Sequence, residues 1–481
     1  MRLAPTAVLL VLIAFALAAC SGVPGGGCVA NCSTGGSVSL VLTATPPAPT
    51  AALSIQAFTA AITGITLTPS SGGSPVTVNL NATAYVAEFN RVTSDSTLLA
   101  SNVSVPIGNY NQATITFAAP RVTSCTQPNP GVPGCASGTL GSLTGTPGST
   151  TVSTNFTVSN NALTGIRLDV NLGTALAQAG SISLSNAFTV TTLPPAAALT
   201  DLASGQLSHL DDIMGVVTAN TSTSITIETS TRGKVTATTN SSTIFHCAAQ
   251  NSSCVQINQP AVMDAVLNAD ETITATFFEP LPFSNDLIEG VVTSVPDTVS
   301  NSFTLVATDS AFARSNSVLD GSLNPGDQMI VRLAGIVEPF AIIDKGLGNP
   351  TLPGNSFGGS TSISTITPGM TVVFPVSAYT AQSGTTPGAA TTNSFALRFT
   401  RITAIMATAT SPQFTITGRA LPPFFGITAN QFVLTNPNRL SLDGASTITA
   451  IPVSSTVSAS ALFLAPGNSP AFLAQSVRAH H

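Results

Sequence analysis

An all-β fold is predicted for this chain: an N-terminal β-sandwich followed by two or three small β-barrel or sandwich repeats. Three observations lead there. From Ser37 onward, short runs of Val, Ile, Leu, Thr and Phe alternate with Ser, Thr or Asn and are broken by Pro, Gly and Asn clusters, the period-two pattern of half-buried strands. Long helical patterns are missing, and the helix formers Lys and Glu are rare. Beyond Thr200 the chain repeats itself, which points to several small units in series.

Taken in order, Met1 and Arg2 precede an apolar run that ends in Leu17-Ala18-Ala19-Cys20. A basic start, an apolar stretch and small residues at the cut describe a secretory signal, over residues 1–19. The ending resembles the bacterial lipobox, which implies cleavage before Cys20 and a diacylglycerol on its thiol. Ser21 follows, where an Asp would favour inner-membrane retention, so the expected address is the outer membrane, with the lipid as the contact to the bilayer. Residues 20–36, rich in Gly, read as a lipidated tether with a reach on the order of 20 Å.

The sandwich is expected over residues 37–196, with strands at 37–45, 62–68, 75–80, 111–118, 150–158, 163–172 and 181–191. Its order of features resembles a family of bacterial surface lipoprotein modules of unknown function with a prealbumin-like sandwich. The matching segments are Ile62-Thr63-Gly64-Ile65-Thr66-Leu67-Thr68, Val105-Pro106-Ile107-Gly108-Asn109-Tyr110-Asn111-Gln112 and Leu163-Thr164-Gly165-Ile166-Arg167-Leu168-Asp169-Val170. The resemblance implies a fold and no activity.

In the repeat, Ile213-Met214-Gly215-Val216-Val217-Thr218 with Ser224-Ile225-Thr226-Ile227-Glu228 is echoed by Ile288-Glu289-Gly290-Val291-Val292-Thr293 with Ser302-Phe303-Thr304-Leu305-Val306. A weaker third copy is Phe399-Thr400-Arg401-Ile402-Thr403-Ala404-Ile405 with Gln413-Phe414-Thr415-Ile416-Thr417. The expected units cover residues 208–283, 284–390 and 391–481. They resemble a second exported family of unknown function built from OB-like β modules, with turns like Leu323-Asn324-Pro325-Gly326-Asp327.

Only 7% of the residues are charged and the net charge is −6. The distribution is uneven. From Asp201 to Lys345 sixteen carboxylates face five basic groups, whereas from Gly346 to the end five Arg face Asp443 alone. The breaks suggest module boundaries, and the acidic middle is a candidate cation binder. Nucleic acid is excluded as a partner, because no basic face with interleaved aromatics exists to neutralise phosphates.

Besides Cys20 there are six cysteines, spaced as Cys28 with Cys32, Cys125 with Cys135 and Cys247 with Cys254, which read as local disulfides of an exported protein. Cys-x3-Cys without nearby histidines lacks half of a zinc site, and no metal is expected.

Chemical motifs are sparse. Gly354-Asn355-Ser356-Phe357-Gly358 fits a nucleophile elbow in letters, but it lies in a Pro/Gly/Ser loop and only His480 and His481 follow it. His209-Leu210-Asp211-Asp212 reads as a solvated linker between modules, and His246 as a loop residue beside a disulfide. Asp270-Glu271 and Glu279 read as solvating acids, because nothing in sequence sets a glycosidase separation. With only Lys234 and Lys345 present, lysine chemistry is unattractive. The absence of Trp, with only Tyr85, Tyr110 and Tyr379, weakens a carbohydrate platform. No catalytic residue or cofactor is assigned, and the ligand-binding residues are unknown. The expectation is a non-enzymatic envelope lipoprotein with a structural, adhesive or protein-contact role toward an envelope protein or glycan. The alternative is a surface binding module for a small ligand, glycan or cation.

Overall fold

In the computed structural model the described residues are 35–47, 53–126, 140–177, 181–196, 202–284, 286–312, 317–319, 322–346, 356–411, 413–417, 430–434, 441–443, 447–464 and 472–480. Cys20, Cys28, Cys32 and Cys135 lie outside them, as does the side chain of Cys125. Residues from Gly35 onward form one compact unit that is almost wholly β.

The first module holds β1 (Gly35–Thr45), β2 (Leu53–Pro69), β3 (Val76–Val78), β4 (Tyr85–Glu88), β5 (Thr97–Pro106), β6 (Gly108–Phe117), β7 (Arg121–Thr126), β8 (Leu140–Thr144), β9 (Gly148–Val158), β10 (Leu163–Asn171) and β11 (Phe188–Leu193). One sheet runs β11-β10-β1-β5 and the other β8-β7-β2-β6-β9, with β3 and β4 on β2. Alternate residues of both, among them Val38, Leu40 and Leu42 of β1 and Ile62, Ile65 and Leu67 of β2, share one core, so the module is a sandwich. Two sequence boundaries shift. Strand pairing begins at Gly35, inside the expected tether, where a Cβ at Gly36 would meet the Ser159 carbonyl at 2.3 Å. Residues 181–187 are not a strand, because Ala187 N–H closes a turn onto the Leu184 carbonyl and Asn186 takes a left-handed φ of 67°.

The second module holds β12 (Gln206–Asn220), β13 (Ser224–Thr229), β14 (Gly233–Thr238), β15 (Ile244–Phe245), β16 (Pro260–Asn268) and β17 (Ile273–Pro280). β12 lies antiparallel to β13 and β16, β14 follows β13, and β17 pairs with β16 and runs parallel to β14 at Thr238–Thr274. That closes a five-stranded Greek-key barrel.

The same connectivity recurs twice. β18 (Leu287–Val292), β19 (Ser302–Ala311), β20 (Gln328–Leu333), β21 (Ala341–Ile342), β22 (Thr371–Pro375), β23 (Ala378–Thr380), β24 (Gly388–Thr392) and the start of β25 (Ala396–Thr410) make the second barrel. In it β24, parallel to β20, and the first residues of β25, antiparallel to β22, together act as the fifth strand. The rest of β25 opens a third barrel with β26 (Gln413–Thr417), β27 (Asn430–Leu434), β28 (Ser441–Asp443), β29 (Thr456–Phe463) and β30 (Phe472–His480). One strand therefore serves two barrels, and a single apolar core spans both.

The repeated hairpins are the β12–β13, β18–β19 and β25–β26 pairs. Gly215 and Gly290 stand where the first strand passes closest to the second. A Cβ would meet the Glu228 carbonyl oxygen at 2.4 Å in one and Leu305 Cδ1 at 2.3 Å in the other. In the third copy two residue pairs precede the bulge, Ile405–Thr417 and Met406–Ile416, as Val216–Glu228 and Val217–Ile227 do in the first. The turn Asn324-Pro325-Gly326-Asp327 has Pro second and Gly third with φ 92°, closed by Asp327 N–H on the Asn324 carbonyl at 3.1 Å, a type II turn. It docks on the sandwich, where Arg121 meets Asp327 at 2.5 Å and Thr123 Oγ1 donates to the Gly326 carbonyl at 2.8 Å.

Candidate functional site

Charged side chains are scarce in this chain, and ten of them converge where the sandwich and the three barrels meet. Arg91 comes from the 3-10 turn Arg91–Thr93 of the sandwich and Asp95 follows it; Asp212, Arg232 and Asp264 come from the first barrel; Glu289, Asp309 and Lys345 come from the second; Arg398 and Arg401 lie on the shared β25. All but Arg401 are below 10% exposed as whole residues, and the Arg401 side chain is 9% exposed.

Asp212 is the centre. Its Oδ1 faces Arg398 Nη2 at 2.6 Å and Lys345 Nζ at 3.3 Å; its Oδ2 faces Arg91 Nη2 at 2.9 Å and also meets Arg401 Nη2. Arg398 Nε donates to Glu289 Oε2 at 2.9 Å, and Lys345 Nζ to Asp264 Oδ1 at 2.7 Å. Arg91 and Arg232 both reach Asp309 Oδ2 at 2.5 Å, and Arg401 holds Asp95 at 3.1 Å. Five cations thus face five carboxylates in a low-dielectric interior, where an unmatched charge would be costly. Burial alone would raise the Asp212 carboxyl, but Arg398, Lys345, Arg91 and Arg401 hold it well below the usual range. Glu289 is likewise held low against its burial by Arg398, Arg91 and Arg401. Burial would lower Lys345, and Asp212 and Asp264 raise it above its ordinary value.

Strand irregularities aim these groups. Asp212 sits in the register shift of β12 against β16 with a left-handed φ of 55°, and its N–H donates to Asp264 Oδ1 at 2.7 Å instead of to the ladder. Asp264 and Glu289 also flank shifts, in the β16–β17 and β18–β19 pairings. A bulge bends its strand and re-aims a side chain, so residues in apolar strands point into the junction. The turn carrying Arg91 is fixed by Glu88, whose carboxylate accepts from the N–H groups of Phe58 at 2.8 Å, Asn90 at 3.1 Å and Arg91 at 2.7 Å. Burial, only partly offset by those donors and by Arg91, pushes the Glu88 carboxyl up to about 7.

One sequence expectation is corrected here. His209-Leu210-Asp211-Asp212 is not a solvated linker: it lies within β12, Leu210 is fully buried and Asp212 is 2% exposed, because the bulge turns Asp212 inward to the guanidinium groups. Within the acidic middle, Asp212 and Glu289 face Arg91, Arg398 and Arg401 from outside it, while Asp264 pairs with Lys345 from within it and Asp309 with both Arg232 and Arg91.

The other candidates scatter. Ser356 is exposed while Phe357 is fully buried against Phe340, so the described part of the elbow-like segment is a core anchor. Asp270 is exposed and accepts from Thr272, and Glu271 accepts from Ser37 Oγ at 2.6 Å. His480 bonds Ser458 at 2.9 Å. Lys234 pairs with Glu228 at 3.4 Å on the surface. Tyr85 and Tyr110 are core residues.

Glu279 departs from its reading as a solvating acid. It is 8% exposed at the end of β17, and its Oε1 lies 2.8 Å from Nδ1 of His246. His246 continues β15, donating its N–H to the Phe278 carbonyl at 2.9 Å, and Cys247 next to it forms the disulfide with Cys254. Asp344 of the second barrel brings a third ligand-type atom, all three within 4.8 Å of one another.

No family model and no curated protein matches this chain.

The sequence signal for the central cluster was a charged residue inside an otherwise apolar strand, as in Pro260–Asn268, Leu287–Val292 and Ala396–Thr410. Its pairing partners, 186 residues apart for Asp212 and Arg398, carry no local signature.

Proposed function

We propose that this chain is a non-enzymatic lipoprotein of the bacterial outer membrane, lipidated at Cys20, that holds a rigid four-module β body for contact with an envelope protein or glycan. The observation that carries the reading is the buried charge cluster. Its side chains are spent on one another at the meeting point of four modules, which is how a chain fixes relative orientation. The Cys247–Cys254 disulfide supports an oxidising compartment, where such bonds persist. The lipobox-like ending at Cys20 supports the anchor, with more than one acyl chain giving stable attachment. The repeated barrel connectivity supports the resemblance to exported OB-like modules. Changing Cys20→Ser tests the anchor by membrane fractionation. The reading expects the protein to move to a soluble exported fraction; unchanged membrane retention would contradict it.

A further inference from the structure

We propose that His246, Glu279 and Asp344 form a binding site for one divalent transition-metal ion of the zinc class, bridging the first and second barrels. The chemistry of the donors comes first. An imidazole and two carboxylates are a mixed nitrogen and oxygen set suited to such an ion, which takes His nitrogen and carboxylate oxygen at about 2.0–2.2 Å. Ligands at that distance in tetrahedral geometry stand about 3.4 Å apart. The three atoms here already lie within 4.8 Å of one another, so small side-chain rotations complete the set.

A second observation points independently to a cation. Glu279 is more than nine-tenths buried, and its Oε2 has no hydrogen-bond partner among the described residues, while its Oε1 faces His246. Asp344, 9% exposed, brings a second carboxylate to the same spot, with its Oδ1 accepting the Gly346 N–H at 2.8 Å. Two buried carboxylates facing one partly exposed imidazole form an electron-rich set, and a buried acceptor left unmade is costly. An ion would satisfy Glu279 Oε2 and relieve the repulsion between the two acids.

The site is also built on rigid elements. His246 is held by β15 pairing on β17 and by the adjoining disulfide, Glu279 ends β17, and Asp344 follows Ile343, whose N–H donates to the Leu397 carbonyl at 3.0 Å. Because Glu279 and His246 belong to one barrel and Asp344 to the next, the ion would staple the two. The side chain of His246 is 46% exposed, so the remaining coordination positions open to solvent.

The test uses the full lipidated chain in detergent micelles and zinc alone as the probe. Equilibrium dialysis of zinc is run on the wild type, His246→Ala, Glu279→Gln and a double variant, His480→Ala with His481→Ala, that removes the C-terminal histidines. His246 is exposed, so its loss leaves the fold intact by far-UV circular dichroism. The proposal expects one zinc per chain in the wild type and the C-terminal variant, at least tenfold weaker binding in H246A and E279Q, and a zinc-dependent rise in Tm lost in H246A. No bound zinc in the wild type, or binding kept in H246A and lost in the C-terminal variant, would overturn it.

Discussion

Asp212→Asn is the sharpest perturbation of the central charge cluster. The substitution keeps the shape of the side chain, and Asn tolerates the left-handed φ of 55° at this position, so the backbone contributes little to the result. What changes is charge and one acceptor. The amide nitrogen would face guanidinium or ammonium donors where Asp212 now meets Arg398, Lys345, Arg91 and Arg401. An uncompensated positive charge would remain in an interior where Arg398 is fully buried and Lys345 is 1% exposed. Breaking a buried pair from one side typically costs about 3–5 kcal/mol, or roughly two to three and a half decades in the folded ratio. The assay is urea unfolding followed by far-UV circular dichroism, since the chain has no Trp to report fluorescence. Adding Arg398→Met should then cost at least about 1 kcal/mol less in the D212N background than in the wild type, because the two residues are directly coupled. A loss below about 1 kcal/mol for D212N, or strict additivity with R398M, would refute the claim that this cluster fixes the modules.

Stability should depend on pH in two directions. Glu88, raised to about 7, contributes stability that is complete below the unfolded carboxyl range and is lost as pH rises through about 7. Asp212 and Glu289, held low, contribute stability present above that range and lost as pH falls through it. Urea midpoints should therefore peak near pH 5, and Glu88→Gln should flatten the fall toward pH 8; a midpoint that rises steadily to pH 8 would contradict the assignment. Gly215→Ala should destabilise by about 1–3 kcal/mol, because its Cβ would strike backbone, whereas Gly64→Ala, with its nearest neighbour at 3.8 Å, should stay within about 0.5 kcal/mol. Equal effects at the two glycines, read from thermal melts, would remove the close-approach argument.

Much of the fold was legible. Period-two alternation placed β1, β6, β9 and β10 within a few residues, and the Gly215 and Gly290 hairpins announced a repeated unit. The third copy, weakest in letters, shares the bulge position of the first, since bulge geometry depends on backbone pairing more than on which β-branched residue is present. The charge cluster was not legible as a site. Asp212, Asp264 and Glu289 lie at register shifts, and alternation cannot say which way a bulged residue points. The uneven charge did carry the information in another form: an acidic middle flanked by Arg91 on one side and Arg398 and Arg401 on the other is the signature of segments that neutralise one another on folding. Glu279 and Asp344 were obscured for a related reason, because two barrels must close before they approach.

Buried charges that weld four modules into one cooperative body make a prediction about how the modules open. Native-state hydrogen exchange read by mass spectrometry, with peptides from β2, β16, β22 and β29 followed in rising urea, tests it most directly. Core amides of all four modules should open together in the wild type and separate into distinct transitions in D212N. Independent opening of the modules in the wild type would contradict it.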